Sequence, residues 1–177
     1  MAILQVDSLS FNFNPAVAAG AYDQWQHYID VWNASPGGQK AVDVVAVEGV
    51  RPPTTAWLIE AKDFRVITNP PKPSNIAGLP QLVADKAGHT LAGIAHASIH
   101  AAVPVEKQLA TAALACASRR VVLHLEPHMG AHTALFPLGF AASVFQSLRQ
   151  LVSSIDPNPL VLNISNTPMA GVPWSVS

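Results

Sequence analysis

The amino-acid sequence predicts an α/β fold in which a mixed central β-sheet is flanked by helices. Segments with the two-residue alternation or β-branched composition of strands are interleaved with segments whose apolar residues recur every three to four positions. The predicted order is β, α, β, β, α, α, β, α, β, which suits helices packed on a mixed sheet. The chain has 177 residues, 50% of them hydrophobic, enough to bury the core of one compact domain.

The first part of the chain is expected to form a strand, a helix and two further strands. Residues 8–14, SLSFNFN, alternate apolar and polar side chains and so predict a half-exposed strand. Residues 15–33 start with a proline and repeat their aromatic residues at helical spacing, which predicts a helix. Residues 40–49 and 56–67 are separated only by a Pro-containing turn, and we expect two adjacent antiparallel strands.

The remaining elements follow a proline-rich segment. Residues 68–80 contain four prolines and are expected to form a loop or flap without a helix. The patterns beyond this loop predict two helices, a strand, a third helix and a final strand, followed by a Pro- and Gly-containing tail. These elements are helices at 81–100, 104–117 and 137–155, strands at 119–127 and 159–165, and the tail at 166–177.

Composition limits the class of protein. Only 12% of residues are charged and the formal net charge is −1, so any contact with nucleic acid has to come from a local patch. The N-terminal residues lack the basic and apolar regions of a signal peptide, and residues 91–118 contain charged residues that would be costly inside a bilayer. We expect a cytoplasmic protein with no membrane segment, in which Cys116 is a buried, unreactive thiol.

Two predicted strands carry charged residues within apolar surroundings. Glu60 and Lys62 are two residues apart in WLIEAKDF and therefore share one face of a strand, while Asp43 lies inside AVDVVAV. An ionised carboxylate in such a place costs several kcal/mol unless a cation or hydrogen-bond donors compensate for it. Asp43 and Glu60, with the backbone carbonyl of Ala61, are suitable ligands for Mg²⁺ or Mn²⁺. Lys62 is then placed to orient a water or balance phosphate charge.

Asp43 followed by sixteen residues and then Glu60-Ala61-Lys62 resembles the PD-(D/E)XK, or restriction-endonuclease-like, nuclease superfamily. The resemblance covers residues 15–125 and includes a helix after the motif, LPQLVADKAGHTLAG. It implies a metal-dependent nuclease in which Asp43 and Glu60 bind the metal and Lys62 assists the hydrolytic water. It also implies a nucleic-acid partner, with DNA favoured, and a role in repair, restriction or defence.

The same resemblance suggests supporting residues. Lys86 and Gln81 lie on the helix after the motif, where family members present a Lys or Gln to the site, and Asp30 stands on the first helix, where many have a Glu. Arg65 and Lys72 border the proline-rich segment and could contact phosphates. The family's strand between the first helix and the Asp strand is missing from the predicted elements, and Val42 replaces a commonly found proline. A partly apolar helix at 138–152 suggests a homodimer.

Three alternatives remain open from the sequence. In the first, Glu60 and Lys62 form a salt bridge on a solvated sheet face while Asp43 pairs with Lys40 or Arg65. In the second, a nuclease-like fold serves as an inactive binding or assembly module. In the third, the seven histidines bind a transition metal. The histidine sets with suitable spacing are His89, His96 and His100, and His124 and His128 with Glu126.

Overall fold

The computed structural model describes residues 2–35, 38–49, 52–65, 71–128 and 133–177 and arranges them in three layers. A five-stranded mixed sheet lies in the middle, helices cover one face, and a three-stranded antiparallel sheet covers the other. The strands are Ala2–Val6 (β1), Leu9–Phe13 (β2), Val17–Ala21 (β3), Val44–Glu48 (β4), Thr55–Asp63 (β5), Ser118–Glu126 (β6), Leu160–Leu162 (β7) and Trp174–Val176 (β8). The helices are Pro73–Ala77 (α1), Leu79–His100 (α2), Pro104–Ala115 (α3) and Phe140–Leu151 (α4).

The central sheet has the strand order β3-β4-β5-β6-β7. β3, β4 and β5 pair antiparallel, whereas β6 runs parallel to β5 and β7 runs parallel to β6. Parallel neighbours need long crossover connections, and α2 and α3 supply the one between β5 and β6, while α4 supplies the one between β6 and β7. Antiparallel pairing of β4 and β5 is as predicted, with Val45 opposite Leu58.

Alternation along β5 divides its side chains between two cores. Leu58 belongs to the cluster that α2, α3 and α4 complete, and Trp57, Ile59 and Ala61 belong to the cluster shared with the small sheet. Because both faces are covered, Glu60, on the same side as Leu58, lies under the helices and is fully buried. The fold therefore places the charged part of the WLIEAK sequence in an interior position.

The small sheet has the order β1-β2-β8 and shields the other face. Leu9, Phe11 and Phe13 alternate inward from β2, as the sequence predicts, and all three are fully buried. β8 pairs with β2 so that Phe13 is opposite Trp174, and Ser10 and Ser177 exchange two backbone hydrogen bonds of 2.8 and 3.1 Å. The predicted α/β class is confirmed, but helices flank only one face of the central sheet within the described residues.

The predicted helix over residues 15–33 is wrong. Its first part forms β3, which pairs along β4, and only residues 26–32 are helical after a short 3-10 turn. Backbone N–H groups of Gln26 and His27 donate to the buried carboxylate of Glu106 on α3, at 2.7 and 3.1 Å, and this fixes the start of the helical segment. Pairing with β4 and capping by α3 are both tertiary effects that override the local helical pattern.

The expectation of no helix in residues 68–80 is also wrong. α1 lies inside this segment and α2 begins at Leu79, because both helices have a proline in the first turn, where no backbone donor is needed. Residues 68–70 of this predicted loop, and residues 66–67 of the predicted strand before it, fall outside the described residues. β1 and β8, both in the small sheet, were not predicted, and β8 lies within the expected tail. No helix of the described residues is sufficiently long and apolar to cross a membrane.

Candidate active site

Asp43 lies immediately before β4, not inside a strand as the sequence suggests. Its carboxylate Oδ2 accepts the backbone N–H of Ala61 at 2.7 Å, and its backbone carbonyl accepts the N–H of Tyr22 at 2.8 Å. The residue is thus bonded to β5 on one side and to the segment after β3 on the other. These two bonds hold the carboxylate close to the charged end of β5.

Glu60 lies between two lysine side chains. Lys62, from the same strand, places its Nζ 2.6 Å from Oε1 of Glu60. Lys86, from α2, places its Nζ 2.7 and 2.8 Å from the two carboxylate oxygens of Glu60 and 3.6 Å from Oδ1 of Asp43. One ammonium therefore contacts both carboxylates, so Asp43, Glu60, Lys62 and Lys86 form a single cluster.

The first alternative, a salt bridge between Glu60 and Lys62 on a solvated sheet face, is correct about the ion pair but wrong about its exposure to solvent. Glu60 and Lys62 do form an ion pair, but the Glu60 side chain has no solvent exposure. Asp43 pairs with Lys86, whereas Lys40 pairs with Asp85 at 3.5 Å. The charges belong to an interior cluster whose desolvation is offset by several hydrogen bonds.

Burial, together with the neighbouring charge of Asp43, raises the pKa of the Glu60 carboxyl above its ordinary value. Lys62 and Lys86 oppose this shift without cancelling it. Burial also disfavours the charge on Lys62, but Glu60 and Asp43 outweigh it and raise the pKa of the lysine. Lys62 therefore remains an ammonium at neutral pH, which makes it a hydrogen-bond donor and not a general base.

The oxygens of the cluster suit a hard divalent cation. Oδ1 of Asp43 and Oε1 of Glu60 both approach the Lys86 ammonium, and the carbonyl of Ala61 accepts from Lys62 Nζ at 3.0 Å. All three oxygens are of the kind that can coordinate a metal, and in this structure each one contacts an ammonium group. Mg²⁺ favours one or two carboxylates with further oxygen ligands. The described part of the chain contains no group of three or more His, Cys, Asp or Glu side chains able to hold a metal ion. A cation here would need water or substrate oxygens as well.

Comparisons with known proteins do not establish a family. No protein-family model matches the chain, and no solved structure matches it. The chain is 28% identical over 206 aligned positions to a cysteine–tRNA ligase of Neisseria meningitidis, with 96% of this chain aligned. The chain spans only 29% of the length of that ligase.

The supporting residues proposed from the sequence divide into two groups. Lys86 reaches the cluster, as described above. Gln81 is exposed and donates to Asp85 at 2.7 Å, and Asp30 is exposed and accepts from Gln26, so neither reaches the cluster. Both choices are corrected, because Gln81 lies on a different face of α2 from Lys86 and the helix that should present Asp30 is only one short segment.

Asp23 is the acidic residue that sequence reasoning missed. It lies in the 3-10 turn after β3 and lines a cavity with Asp43 and Lys86. Burial and the charge of Asp43 raise the pKa of its carboxyl. Asp23 and Asp30 both fall in the segment predicted as one helix, and only the strand and turn that replace this helix distinguish them.

The two residues proposed to contact nucleic acid are not part of the cluster. Arg65 donates to both carboxylate oxygens of Asp63, at 2.9 and 2.6 Å, so its charge is already paired. Lys72 is exposed and precedes α1, where its carbonyl accepts the N–H of Asn75 at 2.9 Å. Phosphate contacts by either residue stay a prediction.

Parts of both expected histidine sets come together, since the ring centroids of His96 and His100 are 4.3 Å apart and His124 bonds to Glu126. His89 accepts the backbone N–H of Lys40 at 3.2 Å, while His96 pairs with His27 at 2.8 Å. His124 is fully buried and bonded to Glu126 at 2.9 Å. With no suitable metal group in the described ranges, the transition-metal interpretation has no support from these side chains. Cys116 is buried, and burial raises the pKa of its thiol, in agreement with an unreactive role.

We expect Asp43→Asn and Asp43→Ala to differ in stability. Asparagine keeps an oxygen that can accept the Ala61 N–H and removes the repulsion with Glu60, so the free energy of unfolding should stay within about 1 kcal/mol of wild type. Alanine leaves the Ala61 N–H without its acceptor and should cost about 1–3 kcal/mol. Urea denaturation in buffer with EDTA measures both. Equal losses would show that the ion pair with Lys86 matters more than this hydrogen bond.

A second stability prediction concerns Asp63. Burial alone would raise the pKa of this carboxyl, but hydrogen bonds from Arg65 and Ser8 outweigh it and bring the pKa to about 2. Because this value lies below the ordinary 3.8, ionised Asp63 stabilises the fold at neutral pH, and the contribution is lost as the pH falls towards 2. In Arg65→Met the pKa of Asp63 should be higher, so the variant should be less stable than wild type at neutral pH and should lose less stability as the pH falls towards 2. Urea midpoints measured from neutral pH downwards test this, and identical acid profiles would contradict it.

Proposed function

We propose that this chain is a Mg²⁺-dependent nuclease that hydrolyses phosphodiester bonds, with Asp43, Glu60 and Lys62 as catalytic residues. The observation that carries the proposal is the convergence of both carboxylates and two lysines on the buried end of β5. Four charges gathered inside a protein with 12% charged residues cost desolvation energy, so a functional role is a better explanation than stability.

The arrangement of strands supports a restriction-endonuclease-like core. β4 follows Asp43, β5 carries Glu60 and Lys62, and α2 follows them, which is the order that the sequence resemblance implies. β3 pairs with β4 as the family's further strand would, but it precedes the helical segment at residues 26–32, whereas the family's strand follows the first helix. Lys86 occupies the role expected of the helix after the motif.

The chemistry divides among the residues of the cluster. Asp43, Glu60 and the Ala61 carbonyl would hold Mg²⁺ (or Mn²⁺), which supplies Lewis-acid stabilisation of the phosphate oxygens. Lys62, an ammonium, would donate to the attacking water or to a phosphate oxygen. The water oxygen bonds to phosphorus, the bond from phosphorus to the leaving oxygen breaks, and the proton lost by the water leaves to solvent while the leaving oxygen gains one. Lys86 would hold Glu60 in position.

The substrate is a nucleic acid, with DNA favoured by the resemblance. The similarity to part of a cysteine–tRNA ligase is a reason to test tRNA as well. Lys62 and Lys86 are the cations of the cluster, and because Asp43 and Glu60 balance them, a bound divalent cation would supply the net positive charge that attracts a phosphate. A homodimer through α4 remains part of the proposal, because Leu151 on this helix is exposed, as is Leu138 just before it.

The deciding experiment is a cleavage assay with Mg²⁺ or Mn²⁺ on single- and double-stranded DNA, single-stranded RNA and tRNA. Wild type is compared with Asp43→Ala and Lys62→Ala, and with Lys107→Ala, a lysine on α3 whose ammonium contacts only the carbonyl of Ile99 among the described residues. We expect cleavage by wild type and Lys107→Ala only. Equal cleavage by all four proteins would overturn the assignment.

An inactive binding or assembly module is the second candidate. It is favoured by the charge balance of the cluster, because the two ammoniums already contact every oxygen proposed as a metal ligand. In this case no metal is needed for stability or for function. Absence of cleavage by the wild type on all substrates would favour this candidate.

Metal binding without turnover separates the two candidates. A nuclease site must bind the cation through ionised Glu60, whose pKa is raised by burial, so Mg²⁺ should raise the melting temperature more as the pH increases. The thermal shift should disappear in Glu60→Gln. A shift of zero at every pH, or one that persists in Glu60→Gln, would contradict cation binding at this place.

A further inference from the structure

Two cavities include residues of the charged cluster in their walls. One, here named the Asp43 cavity, has a volume of about 540 Å³ and includes Asp43 and Lys86 in its wall. The other, the Lys62 cavity, has a volume of about 410 Å³ and includes Lys62. Glu60 is paired with both Lys62 and Lys86, so it links one residue from the wall of each cavity. Both volumes are in the range of about 300–1,000 Å³ that small-ligand sites occupy.

The wall of the Lys62 cavity combines an aromatic ring with unused polar groups. Phe64 is held in place by the ring of Phe136, with centroids 5.1 Å apart. On the opposite wall, Ser74 and Asn75 of α1 are exposed, and their side chains make no hydrogen bond with any residue in the described ranges. A ring for stacking beside hydroxyl and amide groups for base edges is the combination that binds an unpaired nucleobase.

The Asp43 cavity is more polar. The ring of Tyr28 is fixed by its hydroxyl, which donates to the carbonyl of Gln39 at 2.9 Å, and Asn33 lies in the same wall. Asp23 adds a second carboxylate beside Asp43. Two acids repel a phosphate but accept hydrogen bonds from the amino groups and hydroxyls of a nucleoside, so a base with its sugar suits this cavity.

We infer that the nucleotides on either side of the scissile phosphate bind in these two cavities as unpaired residues, so that the substrate is a single strand or an unpaired end. The inference rests on the proposed nuclease function. The phosphate would lie beside the partly exposed ammonium groups of Lys62 and Lys86, and the flanking bases would enter the two cavities. A base in a duplex is stacked and paired, and removing it costs a few kcal/mol, so duplex interiors are poor substrates.

The test uses Ser74→Ala/Asn75→Ala, a double variant of exposed side chains, with Ser143→Ala on α4 as the control. Ser143 is also exposed and lies in neither cavity wall. Fluorescence anisotropy measures binding of a labelled oligothymidine, an oligouridine and a blunt hairpin, in EDTA and with Mg²⁺. Cleavage of the same probes gives kcat and KM. We expect single strands to bind at least about tenfold more tightly than the hairpin, and the double variant to lose about tenfold in affinity or KM with little change in kcat.

The outcomes separate this inference from the nuclease proposal. If wild type cuts the hairpin as fast as a single strand, or if the double variant binds oligonucleotides like Ser143→Ala, the cavities do not hold bases, although the chain is still a nuclease. If wild type cuts nothing but binds single strands through Ser74 and Asn75, the cavities are supported and hydrolysis is not. If it neither cuts nor binds, both proposals are overturned.

Discussion

Glu60→Gln should lower Mg²⁺-dependent cleavage by more than about 100-fold, since a lost ligand removes several kcal/mol of stabilisation from the transition state. Glutamine has the shape of glutamate but neither its charge nor its second carboxylate oxygen. The loss should appear in kcat/KM on whichever nucleic acid the wild type cuts. Glu48→Gln, at the end of β4, is the matched control and should retain activity, because Glu48 contacts the indole N–H of Trp57 at 3.3 Å and not the cluster.

The same substitution should leave the fold intact. The raised pKa of Glu60 means that the folded protein binds a proton there more readily than the unfolded chain does. The stability associated with this proton is complete below the ordinary pKa and is lost as the pH rises through the folded value. A neutral glutamine avoids this loss but also withdraws the charge that pairs with Lys62 and Lys86, so the free energy of unfolding of Glu60→Gln at neutral pH without metal should fall by less than about 3 kcal/mol. A decrease of more than about 3 kcal/mol would instead identify Glu60 as part of a structural ion pair.

Gly93→Ala should destabilise the protein by about 1–3 kcal/mol, the usual cost of overpacking. Gly93 is buried on α2, and a methyl group there would overlap the hydroxyl of Tyr22 and lie 2.9 Å from Nε1 of Trp32. Tyr22 is fully buried between the rings of Trp25 and Tyr28 and has little room to move. Thermal and urea unfolding measure the loss.

Gly88→Ala is the control on the same helix. A Cβ there meets nothing within 4 Å, so alanine should stabilise α2 by about 0.5–1 kcal/mol. Tyr22→Phe removes a buried hydroxyl that has no hydrogen-bond partner in the described structure, and should be tolerated. Added to Gly93→Ala, it should recover part of the loss. No recovery, or equal effects of alanine at both glycines, would show that contact with Tyr22 is not the cause.

Local sequence patterns were sufficient to predict much of the candidate site. The two-residue period of a strand placed Glu60 and Lys62 on one face. The short turn before β5 predicted that Asp43 would lie beside that strand, which it does, although it precedes β4 instead of lying within it. These are properties of adjacent residues or of a hairpin, so little tertiary information is needed. Burial of Glu60 also followed from the apolar neighbours that suggested coverage on both faces.

The errors occurred where distant segments determine structure. β3 forms by pairing with β4, and the helical segment after it is capped by Glu106, about 80 positions along the chain. Asp23 therefore reaches the cavity and Asp30 does not, which a helical period over residues 15–33 cannot reveal. Lys86 could be suggested from the sequence, but its bond to Glu60 depends on how α2 packs across the sheet.

The hydrogen bond from Ala61 to Asp43 links backbone architecture to the proposed chemistry in one side chain. A descendant of this protein without hydrolytic activity would still need an acceptor at position 43 to join the two strands. The side chain of Lys62 bonds to the Ala61 carbonyl and to Glu60 of its own strand and so joins no two strands, and selection would release it first. Among relatives, retention of the acid alone would therefore be a poor indicator of an enzyme, whereas retention of the lysine with it would be informative.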